Sequence, residues 1–400
     1  MSSTHLPPTV DDASPEFPDK LTVYENLWKM TWGKGDSVRD AIVKEENIEV
    51  PPIGTTWVDQ VSSWAPDMPQ APASFDANGP PVNYNAKWLT WGSNRFDTKQ
   101  NLLIRDEYPA IIKRISIDFD ERIKESPEHS GSTIVIGWPG IGKTTFLYYY
   151  LICLLLKAES VLFSNGKQCF GFSKKGVQTV PWSGLEQLRR HADFHFCKFL
   201  CDAFERRPPP RQLYRNNNNF IVLTTSPFVE NWKLVHKYKN GKLCYMKPCT
   251  WEEVYTVACV LYPYKPDTIK NNFQSYGPSF RRSMNVLSED VDTATNSIRT
   301  LVTNLFYDSG SLVKAIRNMT ESSSNMGDPS SWLFMPIPDS DSRIQAQLIP
   351  TSPYVFDLLI ANVLAQEEHR IENYMKVFSS IPQAAIFRGW ISEAKVRCSC

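Results

Sequence analysis

The chain has 400 residues and a formal net charge of zero, with 43 Lys plus Arg against 43 Asp plus Glu. Hydrophobic residues make up 42% and charged residues 22%, an ordinary globular composition with room for two or three domains. The neutral balance excludes a protein that binds polyanions through bulk charge. Nine cysteines without a disulfide-framework spacing indicate free thiols, and the six histidines do not complete a zinc set.

The N-terminal 20 residues are polar, rich in Pro, Ser and Asp, and lack the apolar stretch of a signal peptide, so we expect them to be disordered. The apolar run at 146–156 is shorter than the about 20 residues that a membrane-spanning helix needs. We therefore expect an intracellular protein, in the cytoplasm or the nucleus, without a membrane partner.

Residues 21–91 contain six of the twelve tryptophans, interspersed with prolines. This composition predicts a loop-rich segment with aromatic anchors. The favoured interpretation is a lid of aromatic side chains packed on the main domain, and the alternative is a segment that binds a partner or directs targeting. Farther along, apolar residues recur at three- and four-residue steps and predict a helix within 96–124, which Pro109 begins or breaks.

Residues 137–145 read G-W-P-G-I-G-K-T-T and match the phosphate-loop pattern G-x-x-x-x-G-K-[ST] over its whole length. The β-branched run 133–136 predicts a buried strand before the loop, and the apolar run 146–156 predicts a buried helix after it. Strand, glycine loop and helix are the context in which this pattern holds phosphate. Lys143 would contact the β- and γ-phosphates, and Thr144 would ligate Mg²⁺.

The predicted nucleotide contacts are the loop residues, whose glycines let the backbone approach a phosphate, and one threonine of a later strand. They are Gly137, Trp138, Pro139, Gly140, Ile141, Gly142, Lys143, Thr144, Thr145 and Thr225.

After the loop, predicted strands and helices alternate to about residue 263, which indicates a parallel sheet with helices on both faces. The phosphate site is then expected at the carboxyl ends of the strands. Strands are predicted at 161–163, 194–201 and 220–223, a hairpin or meander at 166–180, and helices at 183–192, 250–262, 292–317 and 353–378. Thr250–Glu253 forms a capping-box pattern at the start of the helix at 250–262. An exposed loop rich in Arg and Pro is predicted at 206–219, and a linker rich in Ser and Pro at 322–338.

The predicted fold is therefore an α/β P-loop NTPase followed by a mainly helical C-terminal region. The expected parts are a disordered terminus (1–20), a Trp/Pro-rich segment (21–95), the NTPase core (96–265), a helical extension (266–320), an irregular linker (321–352) and a helical C-terminal region (353–400).

Hydrolysis also needs a metal-binding acid, a group that activates water and a group that stabilises charge in the transition state. Asp202 ends a hydrophobic strand about 60 residues after Lys143, the usual interval for the metal ligand, although an Asp at a strand end also starts turns. Asp193 competes for this role, but no strand precedes it. Many such ATPases have Glu directly after the metal-binding Asp, whereas Ala203 stands here, so Glu205 or a distant residue would have to activate water.

Three hydroxyl residues follow the strand predicted at 220–223: Thr224, Thr225 and Ser226. If that strand lies next to the loop, one of these hydroxyls would sense the γ-phosphate or hold the attacking water. The alternative is that they cap a turn before Pro227. One of Arg281 and Arg282 could stabilise charge beside Lys143 and Asp202, although two exposed arginines read alone are usually a solvated face. Arg281 is favoured only by resemblance, through the motif Gly277–Arg281 that is described with the other motifs below.

Several motifs together resemble the P-loop NTPase module of Crinkler-type and retrotransposon-hot-spot proteins, especially the fungal members, over about residues 100–290. The motifs that resemble the family are Leu103–Tyr108, the loop at 137–145, Asp202, Thr224–Pro227, Tyr245–Pro248, Trp251–Val254 and Gly277–Arg281.

This resemblance implies an NTPase of the signal-transduction ATPase type, often joined to a C-terminal nuclease-like domain. Phe387–Trp390 with Glu393 resembles the opening of such a domain, but the sequence ends at Cys400 before a nuclease metal constellation, so nuclease activity is not expected. The targeting motifs of secreted Crinkler effectors are not visible, and no effector role is expected.

Three functions are compatible with these features. The first is Mg²⁺-dependent binding and hydrolysis of ATP or another nucleoside triphosphate. The second is a nucleotide-gated interaction module without hydrolysis, which would bind a protein partner through the Trp-rich segment or the C-terminal helices. The third is a P-loop kinase for a small molecule, with Arg206, Arg207, Arg211 and Arg215 as its lid. Nucleic-acid binding through the same basic loop has weaker support.

Overall fold

The computed structural model describes residues 20–53, 80–90, 102–125, 131–188, 192–202, 210–215, 219–261, 264–283, 291–307, 311–312, 333–338, 340–366, 368–380, 389 and 391–392. Over these ranges the chain has a mixed α/β structure. A mainly parallel seven-stranded sheet with helices forms the centre, and additional helices follow it.

The strands are β1 (Val43–Val50), β2 (Val82–Leu89), β3 (Leu102–Ile104), β4 (Ser132–Ile136), β5 (Val161–Ser164), β6 (Cys169–Ser173), β7 (Gly176–Val180), β8 (Lys198–Asp202), β9 (Phe220–Thr225), β10 (Lys242–Tyr245), β11 (Phe334–Pro338) and β12 (Ala346–Pro350). The α-helices are α1 (Lys20–Thr31), α2 (Asp36–Ile42), α3 (Glu107–Glu125), α4 (Lys143–Leu156), α5 (Leu185–Leu188), α6 (Arg211–Tyr214), α7 (Lys233–Lys239), α8 (Trp251–Leu261), α9 (Pro266–Tyr276), α10 (Val291–Tyr307), α11 (Pro353–Leu364) and α12 (Glu368–Ser380).

The central sheet has the strand order β10-β4-β9-β8-β5-β6-β7. The first five strands in this order are parallel, and the antiparallel hairpin of β6 and β7 extends one edge. Strand β9 lies between β4, which precedes the glycine loop, and β8, which ends at Asp202. Since these strands are parallel, their carboxyl ends meet at one edge of the sheet, where such folds bind ligands.

Alternate residues of each strand face opposite layers of the molecule. On one face, Val135 and Val222 belong to the main core together with most of helix α4. On the other face, Ile134 and Ile221 pack in a second core with Val235 of α7. The predicted α/β fold is therefore confirmed as a mixed α/β structure with a mainly parallel central sheet and helices.

The prediction of a loop-rich segment at 21–91 is wrong for 21–53 and 80–90, which contain helices α1 and α2 and an antiparallel pair of strands. Helix α1 packs on the β6–β7 hairpin. The rings of Tyr24 and Phe170 lie 4.4 Å apart, and the indole N–H of Trp28 donates to the carbonyl of Ser173 at 2.9 Å. These contacts support the packed-lid interpretation; residues 1–19, Trp57, Trp64 and Trp91 lie outside the described ranges.

Residues 333–338 and 340–352 differ from the irregular linker that the sequence predicts at 321–352. They contain the antiparallel pair β11 and β12, and the turn between the two strands pairs with edge strand β10, where the N–H of Tyr245 donates to the carbonyl of Arg343 at 2.9 Å. The Arg343 guanidinium forms a buried two-point ion pair with Glu107 of α3. A tertiary contact thus orders a segment of turn-like composition.

Other element ends also differ from the predictions. Helix α3 begins at Glu107 with Pro109 in its first turn, whereas 102–104 form strand β3. The helix predicted at 183–192 is a 3-10 turn followed by the single turn α5. Strand β8 begins only at Lys198, because Phe196 takes a φ of 58°. Within the loop predicted at 206–219, residues 210–215 contain α6 with Leu213 buried, so that part is not an exposed loop.

Among the described residues, no helix is long and apolar enough to cross a membrane. The seven cysteines in those ranges are free thiols, and the same ranges contain no group of three His, Cys, Asp or Glu side chains that could hold a metal ion.

Candidate functional site

The glycine loop connects β4 to α4 and requires glycine at two positions. Gly140 has φ 81° and Gly142 has φ 90°, which residues with side chains rarely adopt. A β-carbon at Gly140 would lie 2.5 Å from the Cβ of Arg281, and one at Gly142 would lie 2.6 Å from the hydroxyl of Tyr108. Both backbone conformation and space therefore exclude larger residues.

Lys143 begins helix α4, and its ammonium lies over the loop. The Nζ atom donates to the carbonyl of Gly137 at 2.7 Å and to that of Trp138 at 2.9 Å. Burial lowers the pKa of Lys143 to about 7; the Asp202 carboxylate opposes this shift, and the Arg281 guanidinium adds to it. An arriving anion would favour the charged ammonium and raise this pKa again.

This lowered pKa predicts that anion binding is coupled to proton uptake. At pH 8 a group with a pKa near 7 is mostly neutral, so binding of a polyphosphate at the loop should take up a proton. At pH 6 Lys143 is already charged, and its uptake should be small. Affinity should fall as the pH rises from 7 to 9. Calorimetry at pH 8 in two buffers of different ionisation enthalpy measures this uptake.

The Lys143→Arg variant is the control, because the pKa of a guanidinium lies well above that of an ammonium and the side chain stays charged at pH 8. If this variant binds, its binding enthalpy should be the same in both buffers. Equal enthalpies for the unmodified protein would contradict the proposed proton uptake.

Asp202, the last residue of β8, joins the loop helix to strand β9. Its Oδ2 accepts a hydrogen bond from the Thr144 hydroxyl at 2.8 Å, and its Oδ1 accepts one from the Thr224 hydroxyl at 2.9 Å. The two metal ligands that the sequence predicts, Thr144 and Asp202, are therefore in direct contact. Hydroxyl and carboxylate oxygens are ligands of the kind that Mg²⁺ prefers.

Strand alternation separates the two threonines at the end of β9. Thr224 shares its face with Val222 and helix α4, whereas Thr225 shares the opposite face with Leu223 and the second core. The Thr225 hydroxyl is buried without a hydrogen-bond partner. The backbone carbonyl of Thr225 accepts from the N–H of Gly137 at 3.1 Å. The sequence prediction chose Thr225 as the nucleotide contact, but the structure places the hydroxyl of Thr224 at the carboxylate.

The competing acid, Asp193, forms an ion pair with Lys175 at 3.2 Å, next to the β6–β7 hairpin. Asp202, by contrast, contacts the loop helix through Thr144. Glu205, the candidate for activating water, lies outside the described ranges, as do Arg206 and Arg207.

The segment 279–282 packs against the first half of the loop. The Ser279 hydroxyl donates to the carbonyl of Pro139 at 2.9 Å, and the Arg282 guanidinium lies 4.2 Å from the centre of the Trp138 ring. Burial lowers the pKa of Arg282 to about 9. Arg281 is exposed beside Gly140, as a charge-stabilising role requires.

Two predicted nucleotide contacts have side chains that are fully buried. Trp138 and Ile141 are both 0% exposed, so only their backbone would face a ligand. Thr145 lies within hydrogen-bonding reach of the Tyr108 hydroxyl rather than at the carboxylate of Asp202. Among the residues predicted to contact a nucleotide, the side chains of Lys143 and Thr144 are thus accessible, whereas those of Trp138 and Ile141 are buried.

No function was predicted for Arg105 from the sequence, although this residue belongs to the motif Leu103–Tyr108. Its Nη1 donates to the carbonyl of Ile141 at 2.9 Å, and its Nε donates to Glu253 at 2.8 Å. The Tyr108 hydroxyl donates to the carbonyl of Gly142 at 2.8 Å. No local pattern could indicate these contacts, because the loop lies more than 30 residues away in sequence.

A scan against protein-family models finds no match, and a search of curated proteins finds no significant match.

Proposed function

We propose that this chain is a P-loop NTPase that binds and hydrolyses ATP, or another nucleoside triphosphate, with Mg²⁺. The observation that supports this proposal best is the contact of Thr144 and Asp202 at the carboxyl edge of a parallel sheet, directly beside a full-length glycine loop. The resemblance to the signal-transduction ATPase module of Crinkler-type proteins supports it further.

The roles follow from charge and position. Loop amides and the N-terminus of α4 would hold the phosphates, and Lys143 would neutralise their charge. Thr144 and Asp202 would hold Mg²⁺, which supplies charge neutralisation at the β- and γ-phosphates when it is bound. Arg281 would stabilise charge at the γ-phosphate from the other side of the loop.

A nucleotide-gated module without hydrolysis is the second candidate. Ala203 follows Asp202 where a water-activating Glu is common in this class, which favours slow turnover. The segment 279–282 also connects the loop to the C-terminal elements. A β-carbon at Gly277 would lie 2.2 Å from the carbonyl of Thr351, and the Ser352 hydroxyl donates to the carbonyl of Ser275 at 2.7 Å.

The kinase proposal loses part of its support. Tyr214 of α6 stacks on Tyr238, shortly before β10 begins, so Arg211 and Arg215 lie near the amino ends of the strands. The glycine loop lies at the carboxyl ends, at the opposite edge of the sheet, which argues against a lid formed by these arginines. Nucleic-acid binding by this basic surface stays a prediction.

Phosphate release from Mg-ATP distinguishes the candidates. We expect the unmodified protein to bind Mg-ATP and to release phosphate steadily without an acceptor. Tight binding without release would instead support the gated module, and release that depends on an added small acceptor would support the kinase. If neither ATP, GTP nor another common triphosphate binds, the proposed function is wrong.

A further inference from the structure

Arg105 is a fully buried arginine whose hydrogen bonds connect the loop to helix α8. It is 1% exposed. Besides its bonds to Ile141 and Glu253, Nη1 donates to the carbonyl of Lys247 at 3.1 Å and Nη2 to that of Pro248 at 2.6 Å. A planar guanidinium presents these donors in a fixed fork, so the position of each accepting carbonyl is set relative to the others.

The counter-charge of Arg105 is itself fixed. Glu253 is 2% exposed, and its Oε2 also accepts from the backbone N–H of Thr250 at 3.0 Å, while the Thr250 hydroxyl accepts from the N–H of Glu253 at 3.3 Å. This reciprocal pair is the capping box that the sequence predicts at the start of α8. Arg105 is thereby held by a rigid helix start.

The hydrogen bonds to the loop carbonyls also set the direction in which the neighbouring N–H groups of the loop point. In a trans peptide the C=O and the N–H of one peptide unit point in opposite directions. Arg105 holds the carbonyl of Ile141, so the N–H of Gly142 in the same unit points away from Arg105. The carbonyl of Gly142 accepts from the Tyr108 hydroxyl and also from the N–H of Phe146 in helix α4, and these two bonds direct the N–H of Lys143 in the same way.

Gly142 is free to take other conformations because it has no side chain, and its φ of 90° is only one of the regions open to glycine. A loop without outside contacts would therefore lose conformational entropy when it orders around a phosphate. Contacts that fix the carbonyls beforehand remove that cost from the binding step.

We propose that Arg105, assisted by Tyr108, is a positioning residue that presets the N–H groups of Gly142 and Lys143 for a polyphosphate. The inference rests on the proposed nucleotide function and adds to it a residue outside the strand–loop–helix unit. Arg105 acts through the loop backbone, since the side chain is buried and four of its five N–H groups donate to Glu253 and to carbonyls.

The test compares Arg105→Lys with a matched control, Arg343→Lys. Arg343 is 4% exposed and also forms a buried ion pair, with Glu107, and its guanidinium donates to Glu107 and to the carbonyl of Tyr245 rather than to a carbonyl of the loop. Lysine keeps the charge and loses the fork. We expect Arg105→Lys to weaken binding of both Mg-ATP and inorganic tripolyphosphate by at least tenfold, and Arg343→Lys to change both by less than twofold, at comparable losses of melting temperature.

A second variant, Tyr108→Phe, removes only one hydroxyl and serves if Arg105→Lys does not fold. We expect it to weaken tripolyphosphate binding by about three- to tenfold. Tripolyphosphate has no base or sugar, so its affinity reports on the phosphate contacts alone. If the unmodified protein binds tripolyphosphate and the folded variants bind it no more weakly than Arg343→Lys, the positioning role is wrong. If the unmodified protein binds neither ligand, the proposed function itself fails.

Discussion

Replacing Lys143 by alanine is expected to weaken binding of Mg-ATP by at least 100-fold, about 2.7 kcal/mol. In the structure its ammonium already lies over the loop, on the carbonyls of Gly137 and Trp138. The alanine variant would lack the positive charge that Lys143 places at the loop. Equilibrium binding of Mg-ATP at pH 6.5, where the ammonium of the unmodified protein is mostly charged, measures the loss.

Lys157→Ala is the matched control for this experiment. Lys157 caps the other end of the same helix and is exposed, so its removal should leave the affinity within twofold. Equal affinities of Lys143→Ala and Lys157→Ala would show that the triphosphate does not bind at the glycine loop.

Replacing Asp202 by asparagine is expected to remove the dependence of nucleotide binding on Mg²⁺ and to lower turnover at least 100-fold. Asparagine keeps the size and one oxygen that accepts from a threonine hydroxyl, but it loses the charge that a divalent cation requires. The measurement is the ratio of the ATP dissociation constants in EDTA and in Mg²⁺, together with phosphate release. We expect the ratio to fall close to one.

The control is Asp193→Asn, because Asp193 is the other acid that the sequence offers for this role. It pairs with Lys175 rather than with the loop helix, so its substitution should change neither the Mg²⁺ dependence nor turnover. If Asp193→Asn abolishes the Mg²⁺ dependence and Asp202→Asn preserves it, the assignment of the metal ligand must be reversed.

Local features of the sequence predicted the central sheet well. The run before the loop, the apolar stretch after it and the hairpin at 166–180 are each determined by periodicity and by residues close in sequence, and all three have the predicted structure. The capping box at Thr250 was likewise predicted from residues three apart, and both of its hydrogen bonds are present.

Predictions failed where contacts between distant residues decide the structure. The proline-rich composition around 21–95 concealed the strands β1 and β2, which form because they pair with each other across more than 30 residues. The turn-like composition of 321–352 did not indicate strands β11 and β12. These strands contact the edge of the central sheet through Arg343, whose carbonyl accepts from Tyr245 and whose guanidinium pairs with Glu107. Which of Thr224 and Thr225 meets Asp202 is likewise decided only by the register of β9 beside β8, and the nucleotide contact at Thr225 stays a prediction.

The sequence by itself determined the glycine loop, the strand before it, the helix after it and the acid at the end of a later strand, because each depends on side-chain order within a few residues. Only the tertiary structure decided that β9 lies between β4 and β8, which brings Thr144, Thr224 and Asp202 together. It also decided that Arg105 and Ser279 hold the loop from two sides. These contacts join residues 22 to 140 positions apart. Hydrophobic periodicity and short motifs depend on residues that are close in sequence, so they do not predict contacts at such separations.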